Sequence, residues 1–122
     1  MGVTGIGGLF FRAKDPKALT QWYRDHFDLG GGDSWWNQAA GPTVFAPFKQ
    51  DSDYFAADKA FMINLRVDDL AAISEKLTAA GIEVMRNDEW DLDGSYGLFA
   101  RVHDPEGNAI ELWEPPAVLP EE

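Results

Sequence analysis

The spacing of apolar and polar positions changes twice along the chain between the two-residue period of a strand and the near-four-residue period of a helix. Residues 9–13 form a short apolar run with one Arg, bounded by glycines on one side and Asp15-Pro16 on the other, and predict a strand over about 6–14. Asp15 suits a helix N-cap and Pro16 the first helical position. Leu19, Trp22, Tyr23 and Phe27 then recur at helical spacing until Gly30-Gly31-Gly32. Residues 34–38 and 43–48 read as strands around Gly41-Pro42, and 51–59 as a polar connection containing Tyr54 and Phe55.

The second half restarts the pattern. Residues 61–67 predict a strand, Asp68 or Asp69 a cap, and Leu70, Ile73, Leu77 and Ala80 a buried helical face closed by Gly81. Three further strands follow at 82–86, 96–103 and 109–113, the last two joined by the turn residues Asp104-Pro105-Glu106-Gly107-Asn108. Shifting the sequence by 54 positions superposes Arg12 on Arg66, Asp15 on Asp69, Ala18 on Ala72 and Leu19 on Ile73. The expected fold is therefore α+β, with two paired β-α-β-β-β modules at about 4–58 and 60–114 and a loosely attached tail at 115–122. Each module buries one sheet face under its helix, and the facing sheets leave a curved cleft between them.

Composition narrows the chemistry. The 122 residues suit a single domain, and 45% hydrophobic content with five Trp and eight Phe is ample for a core. The chain has no cysteine, which excludes disulfides, thiolate metal sites and a thiol nucleophile. With 21 acidic against 10 basic residues the net charge is −11, which argues against nucleic acid or an anionic membrane as partner. No signal or spanning segment is evident, so a cytoplasmic location is the expectation.

Three stretches carry a resemblance: 7–16, 61–70, and the closing Asp104-Pro105-Glu106-Gly107-Asn108-Ala109-Ile110-Glu111-Leu112. They are similar to the vicinal oxygen chelate superfamily, which includes glyoxalase I, extradiol dioxygenases and the bleomycin-resistance binding proteins. The resemblance spans nearly the whole chain. It implies two paired modules around a cleft, commonly within or across a dimer, and in many members a divalent metal held from the first and last strands of each module. The corresponding positions here fall at or near Gly8, Met62 and 44–48, none of which offers a hard donor, and at Glu111, which does. One oxygen ligand does not retain such a metal, so no metal cofactor is expected.

Strand alternation assigns side chains to faces. Leu9, Phe11, Ala13, Ile63, Leu65, Val67, Leu98, Ala100, Val102, Ile110 and Leu112 are expected to pack under the helices. The cleft lining, and hence the expected ligand-binding set, is Phe10, Arg12, Met62, Asn64, Arg66, Phe99, Arg101, Glu111 and Trp113. Glu111 has three candidate roles: a structural ion pair with one of these arginines, a bystander to a guanidinium that binds a ligand's carboxylate or phosphate, or an acid or base raised in pKa by apolar neighbours. His26 and His103 read as half-packed and turn-serving residues, and residues 89–94 as an acidic loop over one end of the cleft rather than a calcium site, since Ala100 stands where a closing Glu is needed. Of the adjacent Trp35 and Trp36, one is expected in the core.

These features point to a small-molecule-binding protein that holds an anionic or aromatic organic ligand without a metal and works as a homodimer. The alternative is a metal-dependent glyoxalase or dioxygenase-type enzyme using Glu111 as a ligand. A third possibility is an interaction domain whose cleft has closed over its own side chains.

Overall fold

The order of elements is α1 (Pro16–Phe27), β1 (Ile63–Arg66), α2 (Leu70–Ala79), a short α3 (Asp88–Asp91), β2 (Leu98–His103) and β3 (Ala109–Glu114). This computed structural model describes residues 1–29 and 35–121. The three strands form one sheet in the order β1-β3-β2, with β1 parallel and β2 antiparallel to the central β3.

Both main helices start where the sequence places them. Asp15 Oδ1 accepts from Ala18 N at 3.1 Å, and Asp69 Oδ1 accepts from Ala72 N at 3.0 Å, so each aspartate satisfies an otherwise unpaired first-turn amide. Gly81 follows the last turn of α2 at φ +84°, the left-handed conformation expected beyond a C-cap. Helix α1 stops earlier than expected. Asp28 takes the left-handed conformation (φ 55°) and its N–H reaches Arg24 O, so the chain turns before the glycines at 30–32, which lie outside the described residues.

One face of the sheet and the two helices make the core. Leu70, Leu77, Val102, Ile110 and Leu112 are fully buried, joined by Leu19 and Tyr23 from α1 and by Ile63 and Ala100. Each buried leucine side chain contributes on the order of 1.5–3 kcal/mol. The turn between β2 and β3 then fastens α1. Buried Asp104 accepts from Glu106 N, Asn108 N, Asn108 Nδ2 and the Tyr23 hydroxyl, so its charge is fully hydrogen-bonded. Glu106 accepts from the Lys14 and Asp15 amides at 2.6 and 3.0 Å.

The first half departs from expectation. Segments 6–14 and 43–48 form no strand, nor do residues 35–38; Ser34 lies outside the described residues. Residues 82–86 contribute a single bridge, Met85 to Arg101, on the far side of β2. A strand exists through its ladder, and these stretches carry poor ladder formers: Gly7 and Gly8 add backbone entropy, while Pro47 lacks an N–H. Among the described residues the one sheet is the three-stranded sheet of the second half, and the expected pairing of two β-α-β-β-β modules is not formed there. Trp35 and Trp36 are both exposed, so neither enters the core; Leu98, expected inside, sits at the strand end and is exposed. Phe11 and Ala13 do pack against the core, with Phe11 5.3 Å from Phe61 between ring centroids.

Candidate functional site

The sheet face opposite the helices is built by register. Asn64, Glu111 and Arg101 stand in one row across β1, β3 and β2; Arg66, Trp113 and Phe99 stand in the next. Six of the nine expected lining residues are brought together in this way. Met62, just before β1, joins them through a 3.7 Å contact from Arg101 Nη2 to its sulfur. Phe10 and Arg12 do not join: both are exposed on an irregular segment.

Glu111 is buried, 8% exposed, and its two oxygens are both engaged. Oε2 accepts from the Tyr54 hydroxyl at 2.5 Å and Oε1 from Asn64 Nδ2 at 2.8 Å. Of the three candidate roles for Glu111, the ion pair with an arginine does not form among the described residues, where its partners are these two neutral donors. Burial, followed by the hydrogen bond to Glu111 and that group's charge, pushes the Tyr54 phenol well above its ordinary pKa of 10.0, and nearby Arg101 opposes the shift.

The three arginines of the expected set have different surroundings. Arg66 donates to Pro42 O at 2.5 Å and Ala39 O at 2.6 Å, which ties the 39–42 segment to β1. Gly41 lies against that guanidinium so closely that an added Cβ would come within 2.8 Å of it. Arg12 is exposed. Arg101 is half-buried between two rings, its guanidinium carbon 4.7 Å from the Tyr54 centroid and 4.9 Å from that of Trp90, and its buried Nε has no hydrogen-bond acceptor. No carboxylate pairs with it among the described residues.

Tyr54 and Trp90 are site residues that alternation could not find, since neither belongs to a strand of the sheet. The available signal was a large aromatic inside a polar stretch, which needs a surface to cover. Trp90 comes from α3; Asp91 at its end accepts from Arg86 and from Phe99 N, and Asp93 just beyond it accepts from Ser95. The Ser95 hydrogen bonds hold the exposed Asp93 carboxyl below the usual range. Phe99 stacks on Trp113 at 6.4 Å, and Trp113 Nε1 donates to Tyr96 O. Of the histidines, His26 packs edgewise on Trp22 and His103 is exposed.

Two hollows adjoin the face. A groove of about 730 Å³ lies between the end of α1 and the sheet, lined by Phe27, Trp36, Val44, Asn64, Arg66 and Trp113 among others. A smaller one of about 410 Å³ is formed by residues 51–57 and Arg101.

The family model for the Glyoxalase-like domain matches residues 8–113. The chain belongs to the glyoxalase-like domain family. No curated protein and no solved structure gives a significant match. The match to the glyoxalase-like domain takes in both main helices and ends at Trp113, within β3. The glyoxalase-like family implies a metal in many members, and the side chains here can be tested against that. Gly8 has no donor, Met62 faces a guanidinium, and Glu111 is engaged by Tyr54 and Asn64. Among the described residues no group of three or more His, Cys, Asp or Glu gathers where it could hold a metal ion. No helix among the described residues is long and apolar enough to cross a membrane.

Proposed function

We propose that this glyoxalase-like domain binds a small organic molecule on the strand face, holding an anionic group on Arg101 and resting its body on the surrounding aromatic rings, without a resident metal. The observation that carries this reading is the state of Arg101: a half-buried cation stacked between Tyr54 and Trp90, with no carboxylate partner and an unsatisfied Nε. A half-buried guanidinium without an acid is costly, and a ligand's carboxylate would supply one. Sequestration of the ligand, as in the bleomycin-resistance branch, is the model.

The test is a tryptophan-fluorescence titration with 3-phenylpropanoate and its uncharged primary amide. The acid should bind at least about tenfold more tightly than the amide in the wild type, and Arg101→Gln should remove that preference. Equal affinities, or an unaffected variant, contradict the reading. The metal-dependent alternative draws on one feature, the buried carboxylate of Glu111 at a family ligand position. A large rise in melting temperature with nickel, zinc, manganese or iron(II) would favour it.

The homodimer belongs to the same proposal. Phe10, Phe45, Trp35 and Val44 are 65–94% exposed in the single chain, an apolar load that a second copy would cover. Sedimentation velocity should give a dimer, and a monomer at high micromolar concentration would contradict that.

A further inference from the structure

We infer that the ligand class is a zwitterion of amino-acid type, its carboxylate on Arg101 and its ammonium group on Asp51 and Asp53; this rests on the reading of Arg101 given above. The 410 Å³ hollow has an unusual charge layout. Its wall is the consecutive segment 51–57 with Arg101 as the single contribution from the sheet, so one basic and two acidic residues border the same space. They do not neutralise one another. Neither Asp51 nor Asp53 has a hydrogen-bond or ion-pair partner among the described residues, and Arg101 has no ion pair there either. Opposite charges that share a cavity without touching are complementary to a molecule carrying both signs at a separation.

The segment is fixed in place, which makes the layout a property of the folded chain. Tyr54 hydrogen-bonds Glu111 at 2.5 Å, Ser52 N donates to Lys49 O at 3.0 Å, and Tyr54 N donates to Ser52 Oγ at 3.3 Å. Phe48 packs on both Tyr54 and Phe55, with ring centroids 5.7 and 5.8 Å apart. Phe55, Ala56 and Ala57 supply an apolar wall, so an apolar side chain fits beside the charged head group, and the volume falls within the range of small-ligand pockets.

The wider field points the same way. The chain carries a net charge of −11, and Asp88 and Glu89 stand on α3 beside Trp90, the second ring over Arg101. A purely anionic ligand would approach against that field. An ammonium group converts part of the repulsion into attraction while leaving the Arg101 contact available.

The experiment is isothermal titration calorimetry with L-phenylalanine and 3-phenylpropanoate, which differ only in the amine, on the wild type, on the double variant Asp51→Asn/Asp53→Asn and on Arg101→Gln. Both aspartates are exposed, so the double variant should fold, and circular dichroism verifies that. Phenylalanine should bind the wild type about tenfold more tightly than phenylpropanoate. In the double variant the advantage should shrink to about twofold or less, with phenylpropanoate bound as well as before or better, because repulsion has been removed. If phenylpropanoate binds the wild type as tightly as phenylalanine, or if the advantage survives in the double variant, the zwitterion inference falls while the role of Arg101 stands. If neither compound binds, both readings fall.

Discussion

The two halves of this chain start from the same pattern and finish differently. Among the described residues, all five of the largest fully buried side chains, Leu70, Leu77, Val102, Ile110 and Leu112, lie in the second half, whereas the first half adds only Leu19 and Tyr23 to the buried apolar core. Most of the exposed large apolar residues lie in the first half, among them Phe10, Trp35, Val44 and Phe45. The glycines make the same contrast. Gly97, at φ +103°, sits so close to the end of β3 that an added Cβ would stand 2.1 Å from Glu114 O, while Gly5 and Gly7 have nothing within 4 Å. A pattern of alternation becomes a strand only where neighbouring backbone closes the ladder, and here β3 provides that neighbour on both sides.

The contrast should be largest for core truncation. Leu112→Ala is expected to cost about 2–5 kcal/mol in urea unfolding, against at most about 0.5 kcal/mol for Phe45→Ala. Comparable losses would mean that the first half has a core of its own. Gly97→Ala should come next, at more than about 1 kcal/mol, because it combines a left-handed backbone with a clash against main chain. Gly5→Ala should leave the urea midpoint unchanged.

Tyr23→Phe probes a buried bond between the halves. It removes a 2.7 Å donor from buried Asp104 and should cost about 1–3 kcal/mol. It should also change the response to alkali. Burial, then the hydrogen bond to Asp104 and its charge, raise the Tyr23 phenol far above its ordinary 10.0. A phenol whose folded pKa lies above the unfolded one contributes stability in full below about pH 10 and loses it as pH rises beyond. Urea midpoints at pH 8 and 11 should therefore converge more in Tyr23→Phe than in the wild type. The smallest effect is expected from Arg66→Gln, which releases the 39–42 carbonyls: faster proteolytic nicking there, with a midpoint shift within about 1 kcal/mol.

The second module was legible because its signals are local. Asp69 as a cap, Gly81 beyond α2, the 104–108 turn and the alternation of Asn64, Arg66, Glu111 and Trp113 each follow from adjacent residues. The site was only half legible. Alternation gave the six strand residues, but which arginine is spare depends on what the loops do: Ala39 and Pro42 occupy Arg66, whereas Tyr54 and Trp90 stack on Arg101. Those are contacts between residues tens of positions apart, and no spacing rule reports them. The strands expected at 6–14 and 43–48 failed for a related reason, since alternation describes a face and not the neighbour needed to pair it.

The central claim is that Arg101, among five arginines, is the group left open for an anion. The most direct test is an NMR correlation of the arginine Nε–H signals during titration with 3-phenylpropanoate. The Arg101 Nε–H signal should move downfield and saturate while that of Arg66 stays in place. Movement of the Arg66 or Arg12 signal with Arg101 unchanged would contradict it.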